Sequence, residues 1–458
     1  MQQKYFIHEP AIDIPVKMIS DILVVGGGPS GIMAAQAASE DGLDVVLVEN
    51  RSFLGGNLTF GLPILGFHSQ KGIQIIKGLP QKFVERLQAR NAASKIQLCP
   101  LHMSIAFLEP EAVKTAAIEL LRDNNVNILL HTFCTGAVME GNTVKGIIVE
   151  SKAGREAILA QTVIDCSGDA DVAFRAGVPC TMGDEAGRVQ SATLEFSMEN
   201  VDVDKLRLSV ANESHTYTPD FISPEYYQEN RFFILVGLRD IVRKARERGL
   251  QLPVDKVVIV TGLRKGEMWI NMNRANGIDG TDPVSLTQGE IITRRQLKEL
   301  SDYFITYVPG FENAYLSRTA PALGIRETRR IVGKYILTKD DIMARRRFED
   351  EIAVASYPID IHHPVGGGFS LEWSGDCYDI PYRALVPEKV ENILVAGRCI
   401  PSTHEALASV RVMAPCMAMG EAAGRAAKIA VRDGIPPSDI DVKKLRNELI
   451  LTGAYLRP

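Results

Sequence analysis

Short apolar runs that stop at glycine clusters alternate with stretches of helical periodicity along the first third of the chain. Residues 22–25 form an apolar run rich in β-branched side chains, and it ends at Gly26-Gly27-Gly28-Pro29-Ser30-Gly31. An Ala-rich segment of helical character follows, and a second apolar run at 45–48 ends on Glu49. This order predicts a βαβ unit carrying G-x-G-x-x-G at Gly26, Gly28 and Gly31, with the acid twenty-one residues after Gly28. The glycines permit a tight turn, close approach to a pyrophosphate and close helix–strand packing, and the helix N-terminus offers free N–H groups to an anion. Strand, glycines, helix and ribose-binding acid together predict a dinucleotide site.

Further along, Gly55 and Gly56 form a glycine pair soon after the acid. Leu108-Glu109-Pro110-Glu111 opens a helix, with Pro110 suited to its first turn. A strand is expected at 126–131, and residues 135–164 read as a three-stranded antiparallel meander with turns at Gly141 and Gly154. Composition shifts after about residue 190. Strands are expected at 191–198, 256–261, 266–273 and 353–361. A loop or lid is expected at 219–230, a helix with a solvated Arg/Lys face at 232–249, and a helix from 285 into the 300s. Near the end, the apolar run 392–396 returns to a glycine at Gly397-Arg398. A helix begins near Ala414, where Pro415 is tolerated, so the free N–H groups of its first turn lie by Val412 and Met413.

The chain has 458 residues, 46% hydrophobic and 23% charged, a soluble globular balance, and it is too long for one compact core. A net charge of −5 gives no electrostatic reason to expect nucleic acid or an anionic membrane. No apolar run approaches membrane-spanning length, and the N-terminal twenty residues lack the continuous apolar core of a signal peptide. Seven cysteines without a CxxC pair suggest free thiols and a cytoplasmic location.

The βαβ unit, the Gly-Gly loop, the meander and the segments Ile164-Asp165-Cys166-Ser167-Gly168-Asp169, Ile325-Arg326-Glu327-Thr328-Arg329-Arg330 and Val395-Ala396-Gly397-Arg398-Cys399 together resemble FAD-dependent oxidoreductases of the glutathione-reductase structural class. The resemblance implies an α/β fold with a discontinuous Rossmann-like FAD-binding domain at 18–190 and 376–440. An α+β substrate domain at 191–375 would be inserted in it, with a C-terminal tail at 441–458. FAD would be the cofactor. Gly26, Gly28, Pro29, Ser30 and Gly31 would meet its pyrophosphate, and Glu49, with Asn50 beside it, the adenosine ribose. Arg51 and Cys134 would lie near adenine, and Gly55, Gly56 and Asn57 along the ribityl chain. Gly168, Asp169, Gly397, Arg398, Val412 and Met413 would complete the site. Cys166-Ser167 stands where the family pattern has Ala-Thr.

The expected activity is hydride transfer between a small polar metabolite and flavin N5. His404, His362 or His363 would handle the proton, and Arg326 and Arg411 are candidates to clamp a carboxylate or, in reduction of a C=C bond, to act as acid. On the strand at 266–273, alternation puts Trp269, Asn271 and Asn273 on one face, where they could line a polar pocket. No metal is expected, since His362 and His363 diverge on a strand and no third ligand has useful spacing. The partners implied are a small-molecule substrate and an electron donor or acceptor, with the direction of reaction and homo-oligomerisation open. Thiazole-forming enzymes that consume a dinucleotide, and non-catalytic flavin sensors, are the alternatives.

Overall fold

The computed structural model describes residues 7–457. Its first half is built on β1 (Val16–Val25), α1 (Pro29–Ser39), β2 (Val45–Val48), α2 (Pro110–Asp123) and β3 (Asn127–Leu129). The meander follows as β4 (Phe133–Glu140), β5 (Thr143–Ser151) and β6 (Gly154–Asp165). Strands β3, β2, β1 and β6 lie parallel in that order, and the late strand β12 (Ile393–Val395) pairs beside β6. The first half of β6 pairs instead with β5, so one long strand carries both the parallel sheet and the meander. Both Val25 and Val395 are in register with Asp165, which brings the glycine turn after β1 and the Gly397 turn together.

The second sheet is antiparallel. It orders β8 (Ile234–Gly237), β9 (Val257–Thr261), β10 (Met268–Ile270), β7 (Phe196–Glu199) and β11 (Tyr315–Thr319). Phe196, Met198, Met268 and Ile270 are buried in a core shared with Leu300, Tyr303 and Phe304 of α3 (Pro283–Tyr307). Asp282 caps α3 by accepting from the Val284 and Ser285 N–H groups, with Pro283 at the first position. The core around the parallel sheet also takes in Ile331, Ile352 and Ile359 from later in the chain, and Leu445 and Leu449 from near its end.

Several local expectations change. The apolar run Phe233–Val236 is fully buried and forms β8, so the helix expected over 232–249 is confined to Arg239–Glu247. The expected loop contains a short helix, Pro224–Glu229, with Pro224 in its first turn. The strand expected at 353–361 splits into Glu351–Ala355 and Ile359–His362. Pro358, which has no N–H for a ladder, lies in the break. Only Phe196–Glu199 of the strand expected at 191–198 is regular, and Ala192 and Thr193 make single bridges before it.

Helix α4 (Met413–Asp433) packs against α1 backbone to backbone. A methyl carbon built on Gly420 would lie 2.1 Å from the Ser30 carbonyl oxygen, and one on Gly424 2.3 Å from that of Ala34. Neither backbone can yield without moving a whole helix. Gly424→Val therefore lowers stability by about 1–3 kcal/mol, the usual cost of overpacking, read as a shift in the denaturant midpoint.

Candidate functional site

Two features define the candidate site. The first is a glycine cradle. Gly28 caps α1 with extended backbone and no side-chain acceptor, which leaves the N–H groups of the first turn free. A methyl carbon on Gly28 meets nothing within 4 Å, whereas one on Gly26 would lie 2.4 Å from the Cys166 carbonyl oxygen and one on Gly31 1.7 Å from that of Gly26. Gly26 and Gly31 close the turn, and Gly28 leaves its floor bare. Both Glu49 carboxylate oxygens accept main-chain N–H groups, from Gly27 at 2.7 Å and Arg51 at 2.8 Å.

Opposite the turn, the Ser30 hydroxyl donates to the Ala396 carbonyl at 3.2 Å, and a methyl carbon on Gly397 would lie 2.7 Å from the Ser30 oxygen. Asp169 accepts from Arg398 and from Thr328, each at 2.6 Å. The N-terminus of α4 at Val412 has no side-chain cap. Of the other predicted residues, Gly55 and Gly56 both adopt positive φ, and Gly56 approaches Gly28. Asn50 and Asn57 are exposed, and Cys134 is buried on β4. The Arg51 guanidinium lies 5.3 Å from the Phe60 ring, and its Nη1 is buried with no partner among the described residues. A bare glycine floor beside two uncapped helix starts fits a pyrophosphate-bearing dinucleotide.

The second feature is a buried cluster of three guanidinium groups. Arg326 donates to the Ser191 carbonyl at 2.7 Å and the Thr193 hydroxyl at 2.8 Å. Arg274 donates to the same hydroxyl at 2.8 Å, to Asn271 at 3.1 Å and to His362 Nδ1 at 3.3 Å. Arg411, immediately before the start of α4, reaches the Asp360 carbonyl at 3.1 Å and Gln190 at 3.4 Å. Burial, followed by the charges of Arg274 and Arg411, lowers the Arg326 pKa to about 9, and burial lowers that of Arg274 to about 10. Burial opposes ionisation of Asp360 too, but His362, Arg411 and Arg326 outweigh it and hold the carboxyl well below its usual range. His362 is pushed down to about 3 by burial and by Arg326, so at neutral pH it is uncharged. Nδ1 then accepts from Arg274, and Nε2–H faces Asp360 Oδ2 at 3.4 Å. Burial raises Glu195 to about 7 against the pull of Arg326 and Arg274.

Arg274 Nε, Arg411 Nε and Gln190 Nε2 are buried with no hydrogen-bond partner among the described residues. Unpaired buried donors are costly unless something accepts from them. The arrangement can therefore take a small anion.

Of the residues proposed for chemistry, Arg326, Arg411 and His362 come together here. His363 is exposed at the mouth of its hairpin. His404 lies behind Gln190, where its Nδ1 meets Glu327 at 2.9 Å in a buried network with Arg330. Asn273 pairs both ways with the Leu194 backbone, a structural role. Arg274, Glu195 and Asp360 were not singled out from sequence. Strand parity carried a signal for one of them, since Glu195 alternates with buried Leu194 and Phe196. Cys399 is fully buried with its thiol pKa well raised by burial, as inert packing requires. Among the described residues no group of three or more His, Cys, Asp or Glu could hold a metal, and no helix is long and apolar enough to cross a membrane.

Residues 21–449 match the family described as FAD dependent oxidoreductase. The chain is 26% identical over 220 residues to the digeranylgeranylglycerophospholipid reductase of Methanoculleus marisnigri, covering 45% of this chain and 51% of that protein. It is 29% identical over 130 residues to the thiamine thiazole synthase of Aeropyrum pernix, covering 28% and 43%. The chain thus spans about half the length of the curated relatives it matches, or less. Among solved structures, p-nitrophenol 4-monooxygenase from Pseudomonas putida superposes with a TM-score of 0.49 at 14% identity, covering 96% of this chain and 87% of that one.

The open floor at Gly28 separates binding from folding. Gly28 has φ −79, which alanine adopts freely. Gly28→Ala should leave the thermal midpoint of the apoprotein unchanged while lowering FAD affinity at least tenfold, measured from the flavin-to-protein absorbance ratio after equilibration with FAD.

Proposed function

The chain belongs to the FAD dependent oxidoreductase family, and we propose that it oxidises or reduces a small carboxylate metabolite held by Arg274, Arg326 and Arg411. FAD is the cofactor, and when bound it supplies the two-electron exchange. The rest is the work of the chain. Buried donor groups with nothing to donate to are the observation that carries the reading: Arg274 Nε, Arg411 Nε and Gln190 Nε2. A carboxylate has the lone pairs to satisfy them, and planar guanidinium groups fix its orientation. Arg411 directly precedes Val412, the uncapped N-cap of α4, so a substrate held there lies beside one of the two helix starts that frame the glycine cradle. Asp360 offsets part of the positive charge and holds His362 in one orientation through its ring N–H.

Glu195 is the group placed to hold or release a proton near neutral pH, with His362 too weak a base for that task. This moves the proton-handling role away from His362. The prenyl lipids named for the archaeal reductases would call for apolar walls, whereas three guanidinium groups favour a charged substrate.

Anaerobic addition of pooled small metabolites to the yellow holoenzyme, followed at the flavin band, tests the reading. Bleaching is expected only with pools that contain a carboxylate, or, in the reductive direction, carboxylates are expected to reoxidise the reduced enzyme. Turnover of uncharged substrates alone would overturn it. Arg326→Gln should weaken the active carboxylate by about 1.5–3 kcal/mol, roughly ten- to hundredfold.

The pH dependence follows from Glu195. Below about 7 it is protonated and neutral, so the cluster is more positive and binds an anion more tightly. Above that value its charge repels the substrate carboxylate. Carboxylate affinity should therefore fall as pH rises through about 7 in the native enzyme, and Glu195→Gln should flatten that dependence across the same range.

A further inference from the structure

The second sheet carries more unpaired polar groups than a carboxylate clamp uses. Ser197 on β7 is in register with Trp269 on β10 and with Arg318 on β11, so the three side chains leave the same face of the sheet. Phe196 and Met198 point the other way, into the core. A methyl carbon on Gly61, in the loop after Gly55-Gly56, would lie 2.1 Å from the Trp269 ring, which sets this face against the cofactor domain. Ser197 Oγ, Trp269 Nε1, Glu267 Oε2 and Arg318 Nε are all buried with no partner among the described residues. Ser197, Glu267 and Trp269 are each at most 2% exposed.

These groups differ in kind from the arginine cluster. Glu267 already balances Arg318, whose Nη2 lies 2.6 Å from its Oε1, so this end of the face presents no spare charge. It offers two N–H donors, one carboxylate acceptor and one hydroxyl that can do both. A hydroxyl group is the ligand that donates and accepts at once and adds no charge. Asn271, which accepts from both Arg274 and Arg326, lies two residues from Trp269, so the arginine cluster and this face adjoin along the chain. Ser197 is four residues, at most about 13 Å of chain, beyond Thr193, the residue that anchors Arg274 and Arg326. A two-carbon acid ends at the arginines, whereas a six-carbon chain extends from them toward this face.

We propose that the Ser197–Trp269–Glu267–Arg318 face is a second substrate subsite that reads hydroxyl groups, and that the substrate is a polyhydroxylated carboxylate of the sugar-acid class. This rests on the carboxylate reading of the arginine cluster and extends it. The anionic end is held by Arg274, Arg326 and Arg411, and the hydroxyl-bearing chain runs toward Ser197. The Trp269 N–H and Arg318 Nε–H donate to its oxygens, and Glu267 and Ser197 accept from its hydroxyl hydrogens.

Calorimetric titration of the holoenzyme with D-gluconate and with glycolate separates the two ends. Gluconate should bind at least tenfold more tightly than glycolate. Trp269→Phe, which keeps the ring and removes the N–H, should lower the gluconate-to-glycolate affinity ratio three- to tenfold. Ser197→Ala should do the same, and it keeps the test intact if the Trp269 variant folds poorly. Arg326→Gln should weaken both ligands together. Gluconate binding no tighter than glycolate, with both lost in Arg326→Gln, overturns the hydroxyl subsite and leaves the carboxylate reading standing. Failure of both anions to bind the native holoenzyme overturns the carboxylate reading and this inference with it.

Discussion

Backbone contact between α1 and α4 is the constraint on which the rest of the site depends. Side chains normally hold two helices 8–10 Å apart. Here Gly420 and Gly424 let the α4 backbone meet the Ser30 and Ala34 carbonyls directly. Because α1 starts at the glycine turn and α4 follows the Gly397 turn, drawing the helices together also draws together the chain ends that feed them. The Ser30 hydroxyl then reaches the Ala396 carbonyl, and Arg398 reaches Asp169. Segments more than 360 residues apart become one cradle. Asp165 secures its centre: buried, it accepts from Ser167 and from the Val172 and Ala173 N–H groups while its backbone sits between Val25 and Val395.

Buried arginine is common enough as glue that its presence alone says little, but this molecule contains its own controls. Arg425 spends its guanidinium on Glu40 and Glu421 within the α1–α4 packing. Arg330 is tied to Glu327, the Ser402 carbonyl and the Gly183 carbonyl. Both are structural by the test of complete pairing. Arg274 and Arg411 fail that test, each with a buried Nε left over, and Arg326 has its pKa lowered by burial and then by its like-charged neighbours. Three cations against Asp360 and a half-protonated Glu195 make a local charge that folding would not favour by itself. The same comparison separates the two histidine candidates. His404 belongs to the paired network with Glu327, and His362 to the unpaired one.

What could be read from the sequence was what depends on neighbours along the chain. The βαβ unit, the meander and the start of α2 follow from runs of four to fourteen residues in which periodicity and glycine placement agree. The apolar run at 233–236 was ambiguous between helix and strand because every position is buried, and full burial erases periodicity. It became a strand because β9 offered a ladder, a fact about residues some twenty positions away. The arginine cluster was legible only in part for the same reason. Arg326 and Arg411 sit in motifs, but Arg274, Glu195 and Asp360 look ordinary in their own segments, and only the fold brings them to one place.

Pleating sets the direction of the proposed hydroxyl-reading face. A strand turns alternate residues to opposite sides, so the requirement that Phe196 and Met198 fill the second core obliges Ser197 to face away from it. The register with β10 and β11 then stacks Trp269 and Arg318 beside Ser197 with no separate constraint. The loop at Gly61 closes on the Trp269 ring and keeps bulk water off the polar face, which raises the cost of every unpaired group on it. Ser197→Ala would relieve part of that cost and leave the core untouched, whereas Glu267 holds Arg318 and Trp269 belongs to the second core. The unpaired hydroxyl at position 197 is what stability alone does not account for, and a ligand that pairs with it is the proposed reason.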